Sequence, residues 1–141
     1  METGVAFAAL DPDHEERFLP LRRTLGVTSF GLNQIILRPG QRGRIHRHTT
    51  QEEVYIVLEG KLTLVFEDEA AELGKGEIAR VAPDVRRYLA NRHPENVLLI
   101  ALGGALEHVG RDGEAFGDWS DTEPSAPQDL PLPPDEPVKG A

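Results

Sequence analysis

Between residues 27 and 103 the chain never sustains a helical pattern. Short β-branched and apolar runs are instead cut by glycine, proline or acidic turns every eight to twelve residues. The runs cover residues 32–38, 44–48, 54–59, 61–67, 78–82, 87–91 and 97–102. Pro39-Gly40 ends the first, Gly60 separates the third from the fourth, and Gly74 to Gly76 precede the fifth. So many short runs, with no long amphipathic helix between them, predict an all-β fold: an antiparallel barrel or sandwich. No internal repeat is evident.

At 141 residues there is room for one domain and one buried core. No apolar run is long enough to span a membrane. The first residues carry an acid and no basic leader, so no signal peptide is expected. The absence of cysteine excludes disulfides, thiolate metal sites and a thiol nucleophile, and is compatible with a cytoplasmic location. Of the net charge of -9, residues 104–141 hold -7. The remainder is near neutral, which disfavours non-specific nucleic-acid binding, because phosphates need a clustered basic face. Arg42, Arg44 and Arg47 do cluster, but they read as solvated charge at a strand end.

The chemistry gathers between Gly40 and Gly60. His46 and His48 stand two apart on an extended run, so both imidazoles face one side with Arg44. Four residues then turn the chain, and Glu53, Tyr55 and Val57 share a face of the next strand. Glu52 has the opposite parity and points away. Two imidazoles and a carboxylate suit iron, manganese, nickel, copper or zinc. Such a histidine pair alone is only moderately specific. The full spacing G-x5-H-x-H-x4-E-x6-G resembles the first signature motif of the cupin superfamily, with every fixed position filled. The resemblance covers about residues 25 to 104. It implies a single-domain, double-stranded β-helix or jelly-roll barrel, with a divalent metal held at its centre by His46, His48 and Glu53.

The second cupin motif, G-x5-P-x-G-x2-H-x3-N, is only partly present. Gly76 and Asn91 keep its separation, but Ala82 and Asp84 replace the proline and turn glycine, and Arg87 stands where the family has a fourth metal ligand, a histidine. An arginine stays protonated and does not ligate metals. A guanidinium about 5 Å from a divalent ion would repel it by roughly 6 to 7 kcal/mol at an effective dielectric near 20, about half offset by Glu53. His93 shares the parity of Arg87 but lies beyond Asn91, a poor substitute. Three states stay open. The triad binds metal while Arg87 grips an anionic substrate; Arg87 pairs with Glu53 and a metal-free pocket binds or senses a small acid; or the cluster is a structural plug. Substrate-binding candidates are Arg87, Tyr55, Asn91 and Arg44, with Leu89 and Asn33 or Gln34 as further pocket residues. An enzyme of this type would be a metal-dependent oxidoreductase or isomerase, but the fold does not choose a reaction.

Around the barrel, assigned to residues 26–104, the expectations are plainer. Residues 1–25 form an appendage with a short helix, started by Asp11-Pro12 and ending before Pro20. Residues 105–123 form an extension partly docked on the barrel, with Phe116 and Trp119 as anchors or with Trp119 as a lid. Residues 124–141 hold six of the eleven prolines among acids and read as a disordered or extended tail. Strands 62–66 and 97–102 are apolar on both faces, which favours a homodimer packed sheet to sheet.

Overall fold

The computed structural model describes residues 4–104 and 112–139. Ten strands and one short helix follow in order: β1 (Phe18–Pro20), α1 (Arg22–Leu25), β2 (Gly31–Leu37), β3 (Ile45–His48), β4 (Glu52–Glu59), β5 (Leu62–Phe66), β6 (Glu69–Leu73), β7 (Ile78–Val81), β8 (Arg87–Ala90), β9 (Val97–Gly104) and β10 (Gly113–Phe116). They form two five-stranded sheets, ordered β1-β2-β9-β4-β7 and β10-β3-β8-β5-β6. Every pairing between named strands is antiparallel. This is the expected all-β barrel of two facing sheets.

Strand alternation fills the space between the sheets. Ile35 and Leu37 from β2, Tyr55 and Val57 from β4, Leu62 and Leu64 from β5, and Leu99 and Ala101 from β9 form one buried cluster. Each large aliphatic side chain removed from water there contributes roughly 1.5–3 kcal/mol. A second cluster, Ile45, Val65, Tyr88, Ala90 and Phe116 with Trp119 against it, uses the opposite parity of β3, β5 and β8. It covers the outer face of the second sheet and explains why residues 62–66 are apolar on both sides. Gly60, between β4 and β5, has φ 80°, and a Cβ there would lie 2.3 Å from the Asn96 carbonyl oxygen, so the turn admits no side chain.

Three expectations change at the margins. The helix expected from Asp11 is a turn, closed by the His14 amide on the Asp11 carbonyl, and residues 18–20 form an edge strand instead. Pro20 suits that edge, where a missing amide costs no ladder bond. The helix in this region is α1, stopped by Gly26 in the left-handed conformation. Strand β6 (EAAEL) lacks the β-branched signature and is held by its hairpin with β5. Strand β10, past the expected end of the barrel, completes the second sheet against β3.

Of the two readings of the tail, the described residues match the extended one. The carboxylate of Glu136 accepts from Arg92 Nε and Tyr88 Oη, each at 2.9 Å, and lies 3.7 Å from an Arg42 nitrogen. The Glu136 amide donates to the Gly40 carbonyl, and Arg44 Nε donates to that of Leu130 at 2.8 Å. A proline-rich segment needs no internal hydrogen bonds to stay extended, and these contacts lay it along the barrel. Trp119 packs near Tyr88 and Arg86 on the outer face. Residues 105–111, the start of the expected extension, lie outside the described residues. Among the described residues no helix is long and apolar enough to cross a membrane.

Candidate metal centre in the barrel

β3 runs extended through Ile45–His48, so Ile45 turns to the outer cluster while His46 and His48 turn inward. Their rings meet edge to face, 5.4 Å apart. The chain bends at Thr49 and Thr50, crosses to the first sheet and enters β4. There Glu52 points out to Arg80 at 2.7 Å, while Glu53 points in. His46, His48 and Glu53 each offer one ligand atom, all within 4.8 Å of one another.

The orientation of the imidazoles carries more information than their proximity. Nδ1 of His46 faces the Arg44 carbonyl at 3.1 Å, and Nδ1 of His48 faces the Asp112 carboxylate at 2.7 Å. Both partners only accept, so both Nδ1 atoms carry hydrogen. In the neutral ring the Nε2 lone pair is then free, and both Nε2 atoms lie close to Glu53 Oε1, at 3.4 Å for His46 and 3.2 Å for His48. His48 Nε2 is buried and, despite that distance, lacks the alignment of a hydrogen bond. Acceptor atoms gathered this closely favour a cation among them, either a proton or a metal ion. The carboxylate–imidazole arrangement at Asp112 is the kind of support that orients metal-ligating histidines.

Charge follows the same logic. Burial opposes ionisation of Glu53, but the adjoining imidazoles outweigh it and hold the carboxyl well below its usual range. Burial would lower the His48 pKa, but Glu53 and Asp112 raise it instead. For Asp112, burial is outweighed by the Thr50 and Gln51 amides and by His48, and its pKa falls to about 2. Sequence reasoning missed Asp112. It lies 64 residues from His48, and no local pattern links the two.

Arg87 faces this cluster from β8, directly opposite His46 in the ladder. It is fully buried. Its Nη2 donates to Glu53 Oε1 at 2.5 Å, Nη1 donates to the Val85 carbonyl at 2.9 Å, and Nε donates to Tyr55 Oη at 3.3 Å. Tyr55 Oη in turn donates to Glu53 Oε1 at 2.5 Å, and burial beside that carboxylate raises the Tyr55 pKa. Among the described residues, every hydrogen bond to the Glu53 carboxylate falls on Oε1, which leaves Oε2 as a ligand atom.

A cavity of about 220 Å³ opens beside the cluster. His46, His48, Glu53 and Tyr55 form one part of its lining, Ile35, Leu37, Leu89 and Ala101 an apolar wall, and Phe18, Pro127 and Leu132 belong to segments outside β2–β9. Arg44 and Asn33 line it as well; Arg87 does not. Asn91 is committed elsewhere, donating to the Leu37 and Glu95 carbonyls and accepting from the His93 amide. Gln34 exchanges two hydrogen bonds with the Asp11 backbone. His93 pairs with Glu72 at 2.9 Å, away from the triad.

Solved structures of similar shape include cupins. A cupin protein from Bacteroides fragilis superposes with a TM-score of 0.65 at 20% identity, covering 77% of this chain and 90% of its own. A cupin-superfamily sugar phosphate isomerase from Silicibacter pomeroyi does so at 0.63 and 24%, covering 82% and 79%. At such identities the likeness is one of fold. In sequence, the chain is 29% identical over 101 residues to the polyketide synthase CurC of Streptomyces cyaneus, covering 67% of this chain and 66% of that protein. It is 30% identical over 60 residues to an uncharacterized protein of Methanocaldococcus jannaschii, covering 43% and 48%. The chain thus spans about half to two thirds of the length of these relatives. Residues 33–103, half of the sequence, match the cupin domain model, and the chain belongs to the cupin family.

Proposed function

We propose that the barrel binds a small molecule beside a divalent first-row metal held by His46, His48 and Glu53. The observation that carries this reading is the pair of Nε2 atoms, each left free by an acceptor behind its ring, gathered beside one carboxylate. The orphaned His48 Nε2 fits a metal ligand, and so does the mixed nitrogen–oxygen donor set. Such a metal would supply Lewis-acid polarisation of a ligand oxygen. The chain's own residues would do the rest. Asp112 and the Arg44 carbonyl hold the tautomers, and Tyr55 and Arg87 fix the Glu53 carboxylate.

A metal-free binding or sensing module is the second reading. It is favoured by the completeness of the Arg87–Glu53–Tyr55 network, which compensates the carboxylate without an ion. In neither reading does Arg87 anchor a ligand, because it is buried behind Glu53 and outside the cavity lining. Homodimerisation through the outer face of the first sheet is part of the proposal; Ile78 on that face is 62% exposed.

Calorimetric titration of chelator-treated protein with zinc separates the readings. One equivalent should bind, His46→Ala should abolish binding, and His93→Ala should leave it unchanged. No binding by the wild-type protein would remove the metal and leave the second reading.

A further inference from the structure

The cavity carries two guanidiniums that the metal centre does not use, those of Arg17 and Arg44. Among the described residues, Arg42, Arg47, Arg80, Arg86, Arg87 and Arg92 each have a carboxylate within 4.0 Å. Arg17 and Arg44 have none among the described residues; Arg22, Arg23 and Arg38 have none either, but they do not line the cavity. Unpaired guanidiniums are ordinary on a surface, but these two line a half-enclosed apolar space.

Both are held in place by carbonyls. Arg17 Nη1 donates to the Arg42 carbonyl at 2.9 Å, and Arg44 Nε to the Leu130 carbonyl at 2.8 Å. The two terminal nitrogens of Arg44 make no hydrogen bond among the described residues and keep the fork that matches a carboxylate. The charges around Arg17 are mixed. Burial is the main reason that the Arg17 pKa is lowered; Asp135, its largest single charge interaction, opposes this, and repulsion from Arg44 and Arg38 adds to it. An anion lodged between them would relieve that repulsion.

The rest of the wall sets the body of the ligand. Phe18, Ile35, Leu37, Leu89 and Leu132 would strip a sugar or polyol of hydrogen bonds without replacing them. They suit a ring or an alkyl chain. At about 220 Å³ the space exceeds the ~150 Å³ that admits benzene, so a ring with a short acidic arm can enter.

We infer that Arg17 and Arg44 form the anion-binding end of the cavity and that its ligand is a mainly apolar organic acid. This rests on the reading of the cavity as a small-molecule site, but not on the metal. It moves the anion role from Arg87 to residues on the N-terminal segment and immediately before β3.

The test uses the full chain after chelation, so that a metal cannot bind the acid. Calorimetry with 3-phenylpropionate is compared with its uncharged amide, 3-phenylpropanamide. The acid should bind at least about tenfold more tightly, and Arg44→Gln should cost about tenfold or more, one charge-assisted contact being worth about 1.4 kcal/mol or above. Arg44→Lys should retain part of the affinity, while Arg38→Gln, outside the cavity lining, should change it less than about twofold. Arg17→Gln should match Arg44→Gln; if its melting curve shows that it does not fold, the Arg44 pair decides. Equal affinity for acid and amide, unchanged affinity in Arg44→Gln, or no binding of either compound at millimolar concentration overturns the inference. Zinc titration run in parallel keeps the two readings apart. Lost acid selectivity with intact zinc binding removes only this inference, and the converse removes only the metal.

Discussion

Replacing Arg87 by methionine tests the centre of the barrel most severely. The substitution keeps most of the side-chain volume but removes every donor. Glu53 loses its 2.5 Å partner, the Val85 carbonyl loses a bond of 2.9 Å, and Tyr55 Oη loses its donor at 3.3 Å. Removing one member of a buried ion pair typically costs about 3–5 kcal/mol, because the remaining charge stays desolvated. Here the two imidazoles beside Glu53 can take up part of that charge, so about 3 kcal/mol is expected for chelated protein. In a chain of this size that lowers Tm by about 10 °C, measured by circular dichroism or calorimetry. The pair contribution is isolated by a cycle with Glu53→Gln. In Arg87→Met/Glu53→Gln the carboxylate is gone, and the double variant should be more stable than additivity allows by about 1–3 kcal/mol. A loss below about 1 kcal/mol in Arg87→Met, or additivity within about 0.5 kcal/mol, would refute the claim that Arg87 compensates a buried carboxylate.

Two further outcomes follow from other contacts. Asp112→Asn should weaken zinc binding by about 10- to 100-fold in calorimetry, since the amide can present its NH2 to His48 and disturb the tautomer; unchanged affinity would show that the ring needs no such support. Burial would raise the Glu136 pKa, but Arg92 and Tyr88 lower it below the ordinary carboxylate value, so tail docking draws stability from Glu136 above that value and loses it as pH falls through the depressed one. Hydrogen exchange of residues 131–139 should therefore accelerate in acid beyond its intrinsic dependence, and Glu136→Gln should remove that extra dependence.

The barrel was legible because a two-residue period, broken at regular intervals, leaves few alternatives for a chain of this size. The same parity placed His46, His48 and Glu53 on facing strands, and the Glu52–Arg80 contact on the outside agrees with the choice between adjacent acids. The edges were less legible. Strand β6 has a helix-forming composition and exists through its register with β5, while β10 is specified by the strand that it meets. Composition left the tail open between disordered and extended because it counts charges without their partners: Glu136 contributes to an acidic excess on paper but meets Arg42 and Arg92 in space. Arg17 and Asp112 were invisible for the same reason, since each acquires its place only when distant segments close around the cavity.

The central claim concerns what lies between two imidazoles and a carboxylate. Crystals grown with one equivalent of zinc and measured across the zinc absorption edge answer it directly. A single strong anomalous peak is expected at about 2.0–2.2 Å from Nε2 of His46, Nε2 of His48 and a Glu53 oxygen. No peak there, or a peak only at surface groups such as His93 and Glu72, would contradict it.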